Sequence, residues 1–224
     1  MGWAVRSVRR RGVVKTLKVA VSYIEDLSFD RRYGTETRAV VERELLGHGL
    51  ENRAHAVAYQ PTKERPFLSL LQRLALPPAS TFVDVGCGKG RVLLLAAQHH
   101  AFTRVVGIDF SRTLCERARE NITIFRTKVP LHVPIEVIEA DITRYAFAGD
   151  ENVFFLYNPF DATILQGFLE RVRESHATNP RSIWLIYSVP VHAAVLEASD
   201  FFSVRDAFSI RGNDFRVYRN VRAS

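Results

Sequence analysis

The residues best suited to chemistry form one short segment, the run Asp-Val-Gly-Cys-Gly-Lys-Gly at positions 84–90. Apolar residues from Thr81 to Val85 predict a buried strand before it, and an apolar helix is predicted from Val92 to His100 after it. The alternating glycines let the backbone turn sharply and approach a ligand, at which the helix amides then point. This glycine turn indicates a nucleotide-cofactor site, although similar turns also serve as plain strand-to-helix connections in α/β proteins.

Two further acids lie at strand ends, since Asp109 ends the second predicted strand and Asp141 follows the third. An acid at the end of the second strand of such a fold can accept two hydrogen bonds from ribose hydroxyls. The alternative for Asp109 is a helix N-cap, but Ser111 is available for that role. Asp141 is less distinctive because acids after strands also form ordinary turns. Both positions favour a ligand at the carboxyl edge of a parallel sheet.

Asn158, Pro159 and Phe160 end the fourth predicted strand, at the same edge of the sheet. Asn158 is the best candidate there for contact with a cofactor or with a second substrate. An Asn-Pro pair that merely turns the chain at the end of a strand is the alternative for this segment.

Strands and helices alternate from Thr81 onward, which predicts a parallel sheet with helices on both faces. The predicted strands are Thr81 to Val85, Arg104 to Asp109, Ile135 to Glu139, Val153 to Asn158 and Arg181 to Tyr187. The later predicted helices are Arg112 to Phe125, Ala162 to Ser175 and Ala193 to Ala198. Two β-rich runs, Phe201 to Ile210 and Phe215 to Val221, flank Gly212-Asn213 and predict a hairpin. The expected fold is therefore α/β, doubly wound, with a mostly parallel seven-stranded sheet that ends in a C-terminal antiparallel hairpin.

The N-terminal third is expected to be helical. Helices are predicted from Glu36 to Leu46 and from Pro66 onward, the second ending before Pro77-Pro78. We therefore predict a basic arm or helix over residues 1–24, a helical N-terminal cap over residues 25–78, and the main domain over residues 79–224.

The net charge of +7 is concentrated in the arm. Residues 1–24 carry six basic residues and no acid, which leaves a charge of only +1 for the rest of the chain. The charge of the chain after residue 24 therefore does not indicate an enzyme that binds nucleic acid. Residues 1–18 could contact RNA or an anionic membrane surface, or form a solvated arm that leads into the cap.

Composition bounds the class of protein. The chain has 224 residues, of which 47% are hydrophobic and 25% charged, as in an ordinary globular protein. No apolar run approaches the roughly 18 residues that a membrane span needs, so no transmembrane segment is predicted. Cys87 and Cys115 are too few for a disulfide framework and lack metal-ligand spacing. We predict no metal site and a cytoplasmic location.

The acid and G-x-G-x-G turn at positions 84–90, together with the C-terminal hairpin, resemble the class I S-adenosylmethionine (SAM) dependent methyltransferases. A dehydrogenase turn, G-x-G-x-x-G, would place a glycine where Arg91 stands, which disfavours a nicotinamide oxidoreductase. The resemblance implies SAM as cofactor and S-adenosylhomocysteine as product. It also implies that Asp84 contacts the amino-acid portion of SAM, and a carboxylate suits a ligand that carries an ammonium and a sulfonium.

The resemblance further implies that Asp141 and a neighbouring amide hold the adenine amino group. The predicted cofactor contacts are Asp84, Gly86, Cys87, Gly88, Gly90, Asp109, Phe110, Asp141, Ile142 and Asn158. Asn158-Pro159-Phe160 is similar to the N-P-P-[YF] motif of methyltransferases that act on planar amino groups, but one proline is missing. The methyl acceptor therefore stays open between a protein amine and a small molecule. An RNA methyltransferase that uses the basic arm, and a non-catalytic SAM-binding protein, are the alternatives.

Tyr59-Gln-Pro-Thr62 precedes the main domain, and similar N-terminal loops fold over the cofactor in some lysine-methylating members of the superfamily. We hypothesise that Tyr59 and Thr62 cover the methionine end of SAM. Tyr59 from this loop and Asn158 from the end of the fourth predicted strand are the candidate catalytic residues. An aromatic side chain that only packs the helical cap is the alternative.

Overall fold

A computed structural model describes residues 28–38, 60–99 and 102–221 of the chain. Within these residues a seven-stranded sheet has the order β3-β2-β1-β4-β5-β7-β6. The strands are β1 (Thr81–Val85), β2 (Arg104–Asp109), β3 (Ile135–Glu139), β4 (Glu151–Tyr157), β5 (Trp184–Ser188), β6 (Phe202–Ile210) and β7 (Asn213–Asn220). Helix α1 (Glu64–Leu71) precedes β1. The helices between the strands are α2 (Arg91–His99), α3 (Arg112–Arg126), α4 (Ala162–Thr178) and α5 (Ala193–Glu197).

The predicted topology is confirmed. Strands β1 to β5 pair in parallel, and β7 inserts antiparallel between β5 and β6. The chain runs outward from β1 to β2 and β3, then returns to place β4 on the other side of β1. Such a reversal of strand order opens a crevice at the carboxyl ends of β1 and β4, where open α/β sheets bind ligands.

Both faces of the sheet are covered, which explains why the central strands are apolar throughout rather than alternating. All five residues of β1 are buried. Phe82 packs in one core with residues of α1, α2 and α3. Val83 and Val85 pack in the other, with residues of α4 and α5. The main domain is therefore doubly wound, as the alternation of strands and helices predicted.

Some boundaries differ from the predicted ones. Helix α1 begins at Glu64 rather than at Pro66, because a proline at the third helical position lacks only an amide that has no intrahelical acceptor. Strand β5 begins at Trp184 rather than at Arg181. The Arg181 guanidinium instead donates to the carbonyls of Glu151 and Ser175, which fastens this segment to the edge of β4 and the end of α4.

The N-terminal cap is described in part. Residues 28–33 are helical, whereas residues 35–38 are not, so the start of the predicted helix at Glu36 is wrong. Asp30 causes this, because its carboxylate accepts hydrogen bonds from the amides of Thr37 and Arg38 and holds the segment in a loop. Residues 39–46 of that predicted helix and the basic arm lie outside the described residues. Among the described helices, none is long and apolar enough to cross a membrane.

Candidate active site

A cavity lies at the carboxyl edge of the sheet, where β1 and β4 separate. It holds about 930 Å³ of empty space including its open mouth. Its walls come from the glycine turn, from the ends of β2, β3 and β4, and from the segment before α1. The lining residues used below are Gln60, Thr62, Asp84, Gly86, Cys87, Arg91, Asp109, Phe110, Asp141, Ile142, Tyr157, Asn158, Pro159 and Phe160.

The glycine turn has a backbone that only glycine adopts without strain. Gly86, Gly88 and Gly90 have φ angles of 78°, 52° and 82°, in the left-handed region. A Cβ at Gly86 would also lie 2.5 Å from the Cβ of Pro159. The turn thus packs directly against the loop that follows β4, so the two loops shape one wall of the cavity together.

Two buried carboxylates, those of Asp84 and Asp109, face this wall. Asp109 accepts hydrogen bonds from the amides of Gly88 and Ser111, each at 2.9 Å. Burial nevertheless raises the pKa of Asp109 to about 6. Ser111, not Asp109, caps α3, since the Ser111 hydroxyl accepts from the amide of Leu114. The alternative role for Asp109 as a helix cap is therefore wrong.

Asp84 has a different environment. Its side chain is buried, and among the described residues none donates a hydrogen bond to it. Burial, and secondarily the negative charge of Asp109, hold the pKa of Asp84 well above its usual range. A buried carboxylate in this condition favours a ligand that brings positive charge or hydrogen-bond donors.

Asp141 forms a turn after β3, which was the alternative to a ligand-binding role for this acid. Its Oδ1 accepts from the amide and the hydroxyl of Thr143, at 2.9 and 2.8 Å. Asp141 and Ile142 still line the cavity beside the end of β3. Their contact with adenine stays a prediction.

Asn158 lies where β4 ends and has a φ angle of 40°. Its Oδ1 accepts a hydrogen bond of 3.1 Å from the hydroxyl of Tyr187. That hydroxyl in turn accepts from the amide of His192, at 3.4 Å. Tyr187 was not among the predicted site residues. Its position near the end of β5, next to β4 in the sheet, is the signal that could have identified it.

Arg91, at the start of α2, connects the glycine turn to the N-terminal segment. The guanidinium is buried, its Nε donates to the Thr37 hydroxyl at 2.7 Å, and one terminal nitrogen lies 3.8 Å from Asp30. The same group lies 4.9 Å from the centre of the Phe29 ring. Lys89 of the turn also pairs with Glu36. Sequence reasoning had used Arg91 only to distinguish cofactors, and it missed this contact.

Residues 82–178 match the family model described as a methyltransferase domain. This match and the fold of the chain are consistent with the class I SAM-dependent methyltransferase superfamily. The cofactor of this superfamily is SAM. The predicted resemblance is thereby confirmed, as is the fold that it implied.

Relatives of this chain include a trans-aconitate 2-methyltransferase of Paracidovorax citrulli, 33% identical over 99 residues that make up 44% of this chain and 34% of the relative. A carboxy-S-adenosyl-L-methionine synthase of Cronobacter sakazakii is 25% identical over 65% of this chain and 55% of the relative. The chain therefore matches about a third to half of the length of these curated relatives.

Among solved structures, an RNA methyltransferase from Salinibacter ruber in complex with S-adenosylhomocysteine superposes with a TM-score of 0.54. It is 18% identical, over 73% of this chain and 95% of that one. A SAM-dependent methyltransferase from Aquifex aeolicus has the same TM-score at 17% identity, over 69% of this chain and 88% of that one. Likeness at this level establishes the fold of the chain alone.

Most of the predicted site residues line the cavity. Eight of the ten predicted cofactor contacts line the cavity, and the remaining two, Gly88 and Gly90, lie in the turn just behind it. Thr62 lines the cavity and is buried. Tyr59 lies outside the described residues. Across residues 28–38, 60–99 and 102–221, no three His, Cys, Asp or Glu side chains are grouped as a metal site requires.

Proposed function

We propose that this chain is a SAM-dependent methyltransferase that acts on a small-molecule acceptor. The observation that carries the proposal is the cavity at the β1/β4 crevice, whose wall combines the glycine turn with the buried carboxylate of Asp84, which accepts no hydrogen bond from the described residues. The chemistry of this wall fits SAM, because SAM carries an ammonium group, ribose hydroxyls and a positive sulfur. Bound there, it would supply a methyl group that is already activated for transfer.

The residues of the chain would then bind, orient and exclude water. Asp84 would accept from the ammonium group, and Asp109 retains lone pairs for the ribose hydroxyls beyond its two backbone donors. Phe110 and Ile142 line the cavity as apolar neighbours for the adenine, next to Asp141. In-line transfer from an activated methyl group depends mainly on such positioning and on exclusion of water.

Two observations support a small molecule rather than a protein amine as acceptor. The relatives that match this chain carry the names trans-aconitate 2-methyltransferase and carboxy-S-adenosyl-L-methionine synthase. The missing second proline after Asn158 also removes part of the motif that is typical of amino-group acceptors.

A thermal-shift comparison tests the cofactor. S-Adenosylhomocysteine should raise the melting temperature, whereas NAD and NADP should not, because a ligand that binds only the native state stabilises it. Stabilisation by NAD alone would contradict the proposal.

A transfer assay tests the acceptor class. The full chain is incubated with methyl-labelled SAM and a cell extract that has been separated into protein, RNA and small-molecule fractions. Label in the small-molecule fraction supports the proposal, and label in protein or RNA assigns the acceptor to that class instead. S-Adenosylhomocysteine binding without label in any fraction would indicate a non-catalytic binding protein.

A further inference from the structure

The hydrogen bonds around Tyr187 determine which atoms Asn158 presents to the cavity. The Tyr187 hydroxyl accepts from the backbone amide of His192, a group that can only donate. Its single proton is directed to Oδ1 of Asn158, at 3.1 Å. The reverse orientation of the amide would place an NH₂ group against this hydroxyl and leave a largely buried O–H without its acceptor, which is unfavourable.

With its oxygen engaged by Tyr187, the side chain of Asn158 has its NH₂ group left for a ligand. No described residue accepts a hydrogen bond from that group, and Asn158 lines the cavity. An NH₂ group is a donor only. It therefore matches an acceptor molecule that offers lone pairs, and it is poorly suited to an amine, whose N–H groups need an oxygen to receive them.

The neighbours of Asn158 lead to the same class of molecule. Tyr157, Pro159 and Phe160 flank Asn158 along the chain and Tyr187 bonds to it, and none of these four residues is a general base. Burial raises the pKa of the Tyr187 phenol, so this group stays protonated and acts as a donor. An ammonium group or an alcohol would have to lose a proton when it reacts, whereas a carboxylate is already ionised at neutral pH.

We propose, on the basis of the methyltransferase function above, that the reacting group is a carboxylate of a small organic acid held by the Asn158 NH₂ group. A lone pair of the carboxylate oxygen forms the new O–CH₃ bond while the S–CH₃ bond breaks and its electrons remain on sulfur. The products are a methyl ester and S-adenosylhomocysteine, and no proton is transferred. Asp109 ends β2 and Asp141 follows β3, on the far side of β1 from Asn158. Asp84 of β1 also lines the cavity, and the ammonium group of SAM would offset its charge.

The stability of the product to base distinguishes the acceptor classes whichever acid is methylated. The chain is incubated with methyl-labelled SAM and either trans-aconitate or the ultrafiltrate of an extract from the expression host. The products are then treated with mild alkali. A methyl ester releases its label as volatile methanol, whereas an N-methyl group or an ether retains it. Volatile label supports the proposal, and label that stays in the base-stable fraction overturns it.

Two substitutions test the role of the amide. Tyr187→Phe should raise the KM for the acid about tenfold, the effect of one lost hydrogen bond, with the dissociation constant of S-adenosylhomocysteine changed less than about twofold. Asn158→Asp would replace the donor with a negative charge and should lower ester formation at least about 100-fold at neutral pH. That loss should diminish at acidic pH, where a protonated carboxyl can donate again. A loss in Asn158→Asp that is independent of pH would contradict the donor role.

Tyr218→Phe is the matched control, since Tyr218 is also a buried tyrosine, in β7, and its hydroxyl has no partner among the described residues. It should leave the KM for the acid unchanged. Equal changes in Tyr187→Phe and Tyr218→Phe would overturn the proposal. Failure of the underlying function looks different, because S-adenosylhomocysteine would then give no thermal shift, or no fraction would take up label.

Discussion

Pro159 lies directly against Gly86. A Cβ added at Gly86 would be only 2.5 Å from the Cβ of Pro159. The two residues belong to loops that follow neighbouring strands, β1 and β4. The contact therefore joins the loop proposed to bind the cofactor to the loop proposed to bind the acceptor, and a change at Gly86 acts on both.

Gly86→Ala should abolish most of the thermal shift produced by S-adenosylhomocysteine and lower the free energy of unfolding by about 2 to 4 kcal/mol, since it adds a steric overlap to a left-handed backbone. Chemical denaturation and ligand titration measure the two effects.

Gly212→Ala is the matched control for Gly86→Ala. Gly212 has a φ angle of 76°, and a Cβ there would meet nothing within 4 Å. It should cost only about 1 kcal/mol, the strain of the backbone alone, with ligand binding unchanged. If the two variants lose equal stability, the Pro159 contact is not the cause. Adding Pro159→Gly to Gly86→Ala should recover part of the loss, because it removes the overlapping Cβ.

Asp109→Ala should lose most of the S-adenosylhomocysteine thermal shift, because the ribose hydroxyls would lose their acceptor in a buried site. Asp206→Ala, which removes a half-exposed aspartate on β6, should leave the shift unchanged. A full thermal shift in Asp109→Ala would show that the ribose binds elsewhere.

Cofactor affinity should depend on pH through Asp109. Its pKa in the folded protein is about 6, and the ionised form is the one that accepts two hydroxyl donors. Calorimetry should therefore find S-adenosylhomocysteine bound about tenfold more weakly at pH 5 than at pH 7. Stability of the free protein moves the other way, because the raised pKa stabilises the fold below about pH 4 and that contribution is lost as the pH rises through 6. Asp109→Asn should flatten both profiles, and an unchanged slope would contradict the assignment.

Thr37→Val should weaken the connection between the N-terminal segment and the glycine turn. The Thr37 hydroxyl accepts from Arg91 and donates to Asp30, so its removal takes one hydrogen bond from each of these two groups. We expect a loss of about 1 to 3 kcal/mol in the free energy of unfolding and weaker cofactor binding. Thr127→Val provides the comparison, because the Thr127 hydroxyl bonds only to a carbonyl at the exposed end of α3, and it should cost less than about 1 kcal/mol. Equal losses would mean that the Arg91 contact contributes nothing.

Thr62→Ala tests the covering segment. Thr62 is buried and lines the cavity, so its loss should raise the dissociation constant of S-adenosylhomocysteine severalfold, about the effect of one hydrogen bond or less. Tyr59→Phe should add to this effect if the two residues act on the same ligand. Unchanged affinity and turnover in both variants would contradict the lid hypothesis.

The sequence by itself determined the sheet, the glycine turn and the position of the acids near the ends of β1 and β2 and after β3. These features depend on local rules: apolar runs form buried strands, glycine permits left-handed turns, and the ends of parallel strands meet at one edge. The match to the methyltransferase family rests on this same region.

Only the tertiary structure decided which distant side chains form hydrogen bonds with the residues of the site. Tyr187 orients Asn158 from 29 residues away, and Arg91 reaches Thr37 across 54 residues. Neither Tyr187 nor Arg91 stands out in the sequence for such a contact. These contacts depend on which strands become neighbours and on how the N-terminal segment packs over the turn. The cofactor could therefore be predicted from local pattern, whereas the acceptor chemistry depends on an amide whose orientation exists only in the folded chain.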